Sequence, residues 1–268
     1  MMRKIALAAA VAVGISGVAG TAHGAFVLVD DFDFDGVSIG AVNGQNGWKA
    51  DHESINIVAD GFTGNGLQNG GQSNEAFKAI PAIAVGTTGT LFFQFSASDL
   101  AAGQSIGLAD GTAETMTSYP AGSVFVNYRP QLTLTGAGAF TARNATTATI
   151  NSVTLEADTW YSVWMVVNNA DENPTWEGYI QGGSITTQTK LAAGSTDTFT
   201  FRGEETEDAD LTNFLFARGG GGSGDSLVID NIYVDTAGEN LSNPIPEPSV
   251  LAMSGLLGAG LLARRRRQ

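Results

Sequence analysis

From Phe26 onward the chain alternates short apolar segments with polar, glycine-rich breaks. The breaks carry turn pairs: Asp35-Gly36, Asn43-Gly44, Asn46-Gly47, Asp60-Gly61, Asn65-Gly66, Asn69-Gly70 and Asp110-Gly111. The segments between them are rich in Val, Ile, Phe, Thr and Tyr, residues that suit a pleated, half-buried surface. This punctuation predicts strands over Phe26–Phe32, Ser54–Val58, Ala76–Ile80, Thr90–Ser96, Ser105–Leu108, Val124–Tyr128, Gln131–Thr135, Val153–Leu155, Thr159–Asn168, Thr175–Gln181, Thr198–Arg202, Asn213–Ala217 and Leu227–Val234. Thr159–Asn168 is apolar on both faces, which predicts a central strand covered on both sides. Its two tryptophans, Trp160 and Trp164, are expected in the core. The polar stretch Asn168–Pro174 then turns the chain back into Thr175–Gln181 as a hairpin. No long amphipathic helix is predicted in this body. Many short strands around one long hairpin fit a two-sheet sandwich.

Two apolar runs follow a different pattern and lie at the ends. Ile5–Val18 is preceded by Arg3 and Lys4 and followed by the small-residue stretch Ala22-His23-Gly24. That order is a secretory signal peptide, with cleavage expected after Gly24. The second run, Ser249–Ala263, is uncharged and ends in Arg264, Arg265, Arg266 and Arg267. It is preceded by Pro244-Ile245-Pro246-Glu247-Pro248, where the prolines keep the backbone extended. Arginines so placed hold their end on the cytoplasmic side of a membrane. The run of 15 residues spans about 22 Å as a helix, short of a hydrocarbon core of about 30 Å. A short, glycine-containing span suits a temporary anchor better than a permanent one.

The tail, with Pro246-Glu247-Pro248 as its motif, resembles the PEP-CTERM sorting signal of Gram-negative bacteria. That resemblance implies an exosortase as partner, transient inner-membrane insertion through the C-terminal helix, and delivery to the cell surface or extracellular matrix. The body carries a second resemblance. Val29-Asp30-Asp31-Phe32-Asp33, followed by Asn43-Gly44-Gln45-Asn46-Gly47-Trp48, looks like the opening of LamG-like, concanavalin A-like jelly rolls. Leu227–Asp235 looks like their last strand. The resemblance implies an all-β, two-sheet antiparallel jelly-roll sandwich whose first and last strands lie near each other. The organisation expected is a signal peptide over 1–24, a jelly-roll domain over 25–243 and a sorting signal over 244–268.

Charge and composition narrow the chemistry. The chain has a formal net charge of −14, and the two ends hold six of its 13 basic residues and one of its 27 acidic ones. The body is left with seven basic residues against 26 acidic, a net −19. Such a surface repels nucleic acid. There is no cysteine, so disulfides, thiol catalysis and cysteine-ligated zinc are excluded. His23 and His52 are the two histidines, and His23 leaves with the signal peptide.

Candidate sites follow. Asp31-Phe32-Asp33-Phe34-Asp35-Gly36 is no EF-hand, because its twelfth position is Val42 instead of a bidentate Glu. The jelly-roll resemblance implies a structural calcium held by Asp31 or Asp33 together with Asp230. A glycan platform needs an exposed aromatic beside polar groups. Trp48, in a polar stretch, and Trp176, beside Asn173, are the candidates, and packing under a loop is the alternative role for both. Laminarinase-type enzymes of this architecture carry a Glu-x-Asp-x-(x)-Glu strand. Here Glu156-Ala157-Asp158 is followed by Thr159-Trp160-Tyr161, and Glu177 has no acidic neighbour in sequence. Glu204–Asp210 reads as a solvated acidic loop, and Gly219–Gly224 as a hairpin loop without the Lys-Ser/Thr of a phosphate loop. The expectation is a non-enzymatic surface or matrix protein with a structural, adhesive or polysaccharide-binding role. The rival is a carbohydrate-active enzyme on the same fold.

Overall fold

The structure is a computed structural model. It describes residues 24–70, 74–100, 103–110, 128–135, 138–145, 147–202, 209–218 and 227–245, with the side chains of 148–152 left aside. The predicted strand Val124–Tyr128 (except Tyr128), most of the acidic loop, the glycine loop, the signal peptide before Gly24 and the sorting signal from Pro246 lie outside these residues. No helix among the described residues is long and apolar enough to cross a membrane.

The described residues form seventeen strands and no α-helix. In chain order they are β1 (Val27–Asp30), β2 (Gly40–Ala41), β3 (Lys49–Ala50), β4 (Ile55–Val58), β5 (Gly66–Asn69) and β6 (Glu75–Ile83). Then come β7 (Thr87–Ala97), β8 (Gln104–Asp110), β9 (Gln131–Thr135), β10 (Ala139–Asn144), β11 (Thr147–Thr154) and β12 (Tyr161–Asn169). The last are β13 (Thr175–Gly182), β14 (Ile185–Lys190), β15 (Phe199–Thr200), β16 (Leu211–Arg218) and β17 (Leu227–Asp235).

These strands make two antiparallel sheets. The ten-stranded sheet runs β14-β13-β12-β7-β17-β5-β4-β2, with β1 on β17 and β15 on β13. The seven-stranded sheet runs β11-β10-β9-β8-β16-β6-β3. Consecutive strands lie in different sheets at β2 to β3, β3 to β4, β5 to β6, β6 to β7, β7 to β8, β11 to β12, β15 to β16 and β16 to β17. This is the expected two-sheet jelly-roll sandwich. The expected closure is present too, since Val27 pairs with Val234 and Leu28 with Tyr233.

The core lies between the sheets. Leu91, Phe93, Phe95, Val163, Met165, Val167 and Ile229 come from one sheet, and Ile106, Leu108, Leu132, Leu134, Phe214 and Phe216 from the other. Each set follows period two, because alternate residues of a strand share a face. The opposite face of β7 and β12 is also covered in part. Phe92 is buried between Phe26, Trp164 and Tyr233. Residues 236–245 run across this outer face as a strap. Thr90 Oγ1 donates to Gly238 O, Trp164 Nε1 donates to Ser242 O and Gln188 Nε2 donates to Leu241 O. Trp164 is therefore buried as expected, though under the strap and not between the sheets. Asn240 Nδ2 donates to Gly24 O at 3.0 Å, so the two ends of the described body meet.

Several strands are shorter or additional to the sequence reading. The first ends at Asp30, because its carboxylate turns inward and Phe32 takes a left-handed φ of 55°. The segments β5, β10 and β14 carry the patterns GLQN, AFTARN and ITTQTK, too polar for an apolar-run criterion. They are strands because a neighbour supplies the ladder.

Candidate functional site

The strap covers part of the outer face of the ten-stranded sheet, over β7, β12 and β14. Another part of the sheet, at β5, β17 and β7, holds a cleft of about 190 Å³. Its floor is one row of three side chains from adjacent strands: Gln68 on β5, Val228 on β17 and Ser96 on β7. The register sets that row, since Val228 pairs with Gln68 on one side and with Ser96 on the other. These positions alternate with the core residues Leu67, Ile229 and Phe95, so they face outward.

Two loops form the walls. On one side Asp60 lines the cleft. The exposed ring of Phe62, from the same loop, meets Trp160 edge-on, with centroids 5.7 Å apart and planes at 79°. On the other side stand Ser98, Asp158 and Trp160. Asp158 sits at a left-handed φ of 54°, and its backbone N–H donates to Ala97 O at 2.9 Å, which holds that turn against the end of β7. Trp160 precedes β12 and is half-buried. Among the described residues, the side chains of Asp60, Gln68, Ser96, Ser98, Asp158 and Trp160 hold no internal hydrogen bond or ion pair. Their polar atoms are free for a ligand, and no basic residue among those described lines the cleft.

Two of the carboxylates expected to bind calcium, Asp230 and Asp33, hold the Asp60 loop. Asp230 is fully buried, and its Oδ2 accepts from Phe62 N at 2.8 Å and Thr63 N at 3.2 Å. Its Oδ1 accepts from Asn231 N at 2.7 Å. A β-bulge makes this geometry. The register of β17 shifts between Asp230 and Tyr233, and Asn231 takes φ 52°. Burial pushes the Asp230 carboxyl up to about 7; the loop amides pull the other way, and the charge of Asp33 adds to the rise. Asp33 Oδ1 accepts from Asn65 N at 2.9 Å and from Asn65 Nδ2 at 3.0 Å. Asp31 is half-buried, and its Oδ1 accepts from Asp33 N. Among the described residues no three acidic or histidine side chains gather around one point where a metal ion would sit. Amide donors hold both oxygens of Asp230, Oδ1 of Asp33 and Oδ1 of Asp31.

The predicted aromatic platform also moves. Trp48 is 1% exposed, stacks on Phe32 and donates from Nε1 to Asp30 Oδ2 at 2.7 Å. Trp176 is 1% exposed and packs on Phe199, with centroids 5.1 Å apart. Neither offers a face to solvent, because both pack into the core, Trp176 from β13 and Trp48 from the loop before β3. Asn173 is exposed in the hairpin loop at φ 54° and stands alone there. The aromatic that does reach a cleft is Trp160, which sequence reasoning assigned to the core. A signal was present. Tyr161, Val163, Met165 and Val167 form the inward series, which leaves Trp160, Ser162 and Trp164 on the outward one. Asp30 was missed as well. It is buried beside Asp31 and holds Lys78 Nζ at 2.5 Å, Trp48 Nε1 and Phe32 N.

Glu177 pairs with Lys190 at 3.0 Å and accepts from Tyr179 and Thr198, an arrangement of strand-surface partners remote from the cleft residues.

No family model matches the chain, and no curated protein matches it. Similar solved structures include a Trypanosoma rangeli sialidase in complex with 2,3-difluoro-KDN. It is 15% identical, with 69% of this chain and 27% of that chain covered and a TM-score of 0.43. The metal-free lectin I-B4 of Griffonia simplicifolia is 8% identical, with 72% and 94% covered and a TM-score of 0.48. Peanut lectin with a 9mer peptide is 11% identical, with 78% and 96% covered and a TM-score of 0.47. The chain spans about a quarter of the sialidase's length.

Proposed function

We propose that this chain is an exported, non-enzymatic surface or matrix protein that holds a sugar unit of an extracellular polysaccharide in the cleft beneath Trp160. The observation that carries the reading is the cleft itself. A half-exposed indole shares the cleft with uncommitted hydroxyl, amide and carboxylate groups. An apolar wall with a few convergent polar atoms is what a sugar ring needs, since its C–H face seeks an aromatic and its hydroxyls seek partners. The signal peptide over 1–24 would export the body. The Pro246-Glu247-Pro248 motif, apolar run and Arg264–Arg267 cluster would make it an exosortase substrate, held in the inner membrane only until processing.

Trp160→Ala tests the binding reading. It should abolish retention on polysaccharide or a glycan array while leaving the melting temperature within a few degrees of the parent. A blank array for the parent protein would point to a passive coat protein instead. Mass spectrometry of protein from native cells tests the sorting reading, and intact chains still ending in the arginines would overturn it.

One observation favours the enzymatic rival: two carboxylates, Asp60 and Asp158, line the same cleft. Paired acids are the machinery of glycoside hydrolysis. Release of reducing ends from matrix polysaccharide, lost on Asp158→Asn, would establish the enzyme.

A further inference from the structure

We infer that the cleft selects a sugar bearing a free, protonated amine over its N-acetylated and carboxylate-bearing counterparts. This step rests on the glycan-binding reading and adds the class of sugar. Asp60 and Asp158 approach from the two opposite walls and share one space of about 190 Å³. Neither is paired with a cation, and none of the cleft's lining residues is basic. Among the described residues the site therefore carries two negative charges with no lining cation to balance them, within a body of net −19. A ligand carboxylate entering it meets like charge at short range, which opposes binding. A neutral sugar only exchanges water hydrogen bonds for protein ones, with a modest net gain. An ammonium supplies the missing charge and three donors at once, and both carboxylates are acceptor-only groups.

The remaining lining fits the rest of such a ring. Ser96, Ser98 and Gln68 offer hydroxyl and amide groups for ring hydroxyls, and the Trp160–Phe62 pair offers the apolar edge. The space is smaller than the roughly 300–1,000 Å³ of drug-sized pockets, so it takes one sugar unit and leaves a longer chain outside. The backbone carrying both carboxylates is anchored in advance. Asp158 follows the turn bonded to Ala97 O, and Asp60 precedes the Gly61–Gly64 turn that Asp230 fixes through Phe62 N and Thr63 N. Ordering of the backbone is thus not left to the ligand, which favours affinity.

The test is calorimetric titration of the full-chain protein with short oligomers of glucosamine, of N-acetylglucosamine and of galacturonic acid, with ethanolamine as a plain amine. Glucosamine oligomers should bind about tenfold more tightly than the N-acetylated ones at low salt, with galacturonate weakest. Asp60→Asn and Asp158→Asn should each cut that ratio by about threefold, and high salt should erase it. Trp160→Ala should weaken every sugar and leave the ratio unchanged. Equal binding of amine and acetamide, still dependent on Trp160, would overturn the amine selection and leave the glycan reading standing. Ethanolamine competing as well as glucosamine would overturn it too, by showing a bare cation site. Absence of binding by any sugar would overturn both.

Discussion

Replacing Lys78 by Met should destabilise the body more than any surface change, because it strands a buried charge. Lys78 Nζ lies 2.5 Å from Asp30 Oδ2, with side chains 10% and 0% exposed. Met fills most of the volume of the lysine stem without its charge, so packing changes little and the electrostatic loss dominates. Removing one partner of a buried pair costs about 3–5 kcal/mol, since the survivor keeps its desolvation penalty. Asp30 retains Phe32 N and Trp48 Nε1 as donors, which places the expected loss near the lower figure, about 3 kcal/mol. For a domain of this size each kcal/mol lowers the melting temperature by about 2–4 °C, so the fall should be about 6–12 °C. Thermal unfolding followed by circular dichroism reads it directly. The double variant Asp30→Asn with Lys78→Met should recover much of the fall, because the neutral amide oxygen still accepts from Trp48. A Lys78→Met protein melting within about 2 °C of the parent would refute the reasoning.

The remaining predictions concern the loop anchors and one close contact. Asp230 has a folded pKa raised from 3.8 to about 7, so between those values the folded chain keeps a proton that the unfolded chain has released. Its contribution is whole below the lower value and lost as pH rises through the upper one. The melting temperature of the parent minus that of Asp230→Asn should therefore fall across that window, whatever the constant offset, and a flat difference would refute it. Calcium or EDTA should leave the melting temperature unchanged, because the loop amides of Phe62, Thr63 and Asn65 occupy Asp230 and Asp33; a calcium-dependent rise would restore the metal bridge. At Gly107 an added Cβ would meet Pro130 O at 2.1 Å and Tyr128 Cδ1 at 2.9 Å, so Gly107→Ala should cost about 1–3 kcal/mol in urea unfolding, and a neutral result would show that the 128–130 backbone yields.

Local pattern alone determined much of this protein. The alternation of apolar and polar positions placed β4, β7, β9, β12, β13, β16 and β17, and the two-faced apolar run Thr159–Asn168 marked a strand covered on both sides. These features are legible because period two is a property of the strand itself, and a turn pair acts within four residues. Tertiary structure decided the site. Asp230 and Phe62 are 168 residues apart, and nothing near either announces that a bulge will aim one at the backbone of the other. Asp30 and Asp31 are neighbours of equal charge, yet only Asp30 turns inward to Lys78, 48 residues on. Trp48 and Trp176 sit in polar stretches and are buried, while Trp160 sits in an apolar one and reaches a cleft. Periodicity says which side of a strand a residue takes. What covers that side, whether a second sheet, a strap of residues 236–245 or open solvent, depends on segments far along the chain.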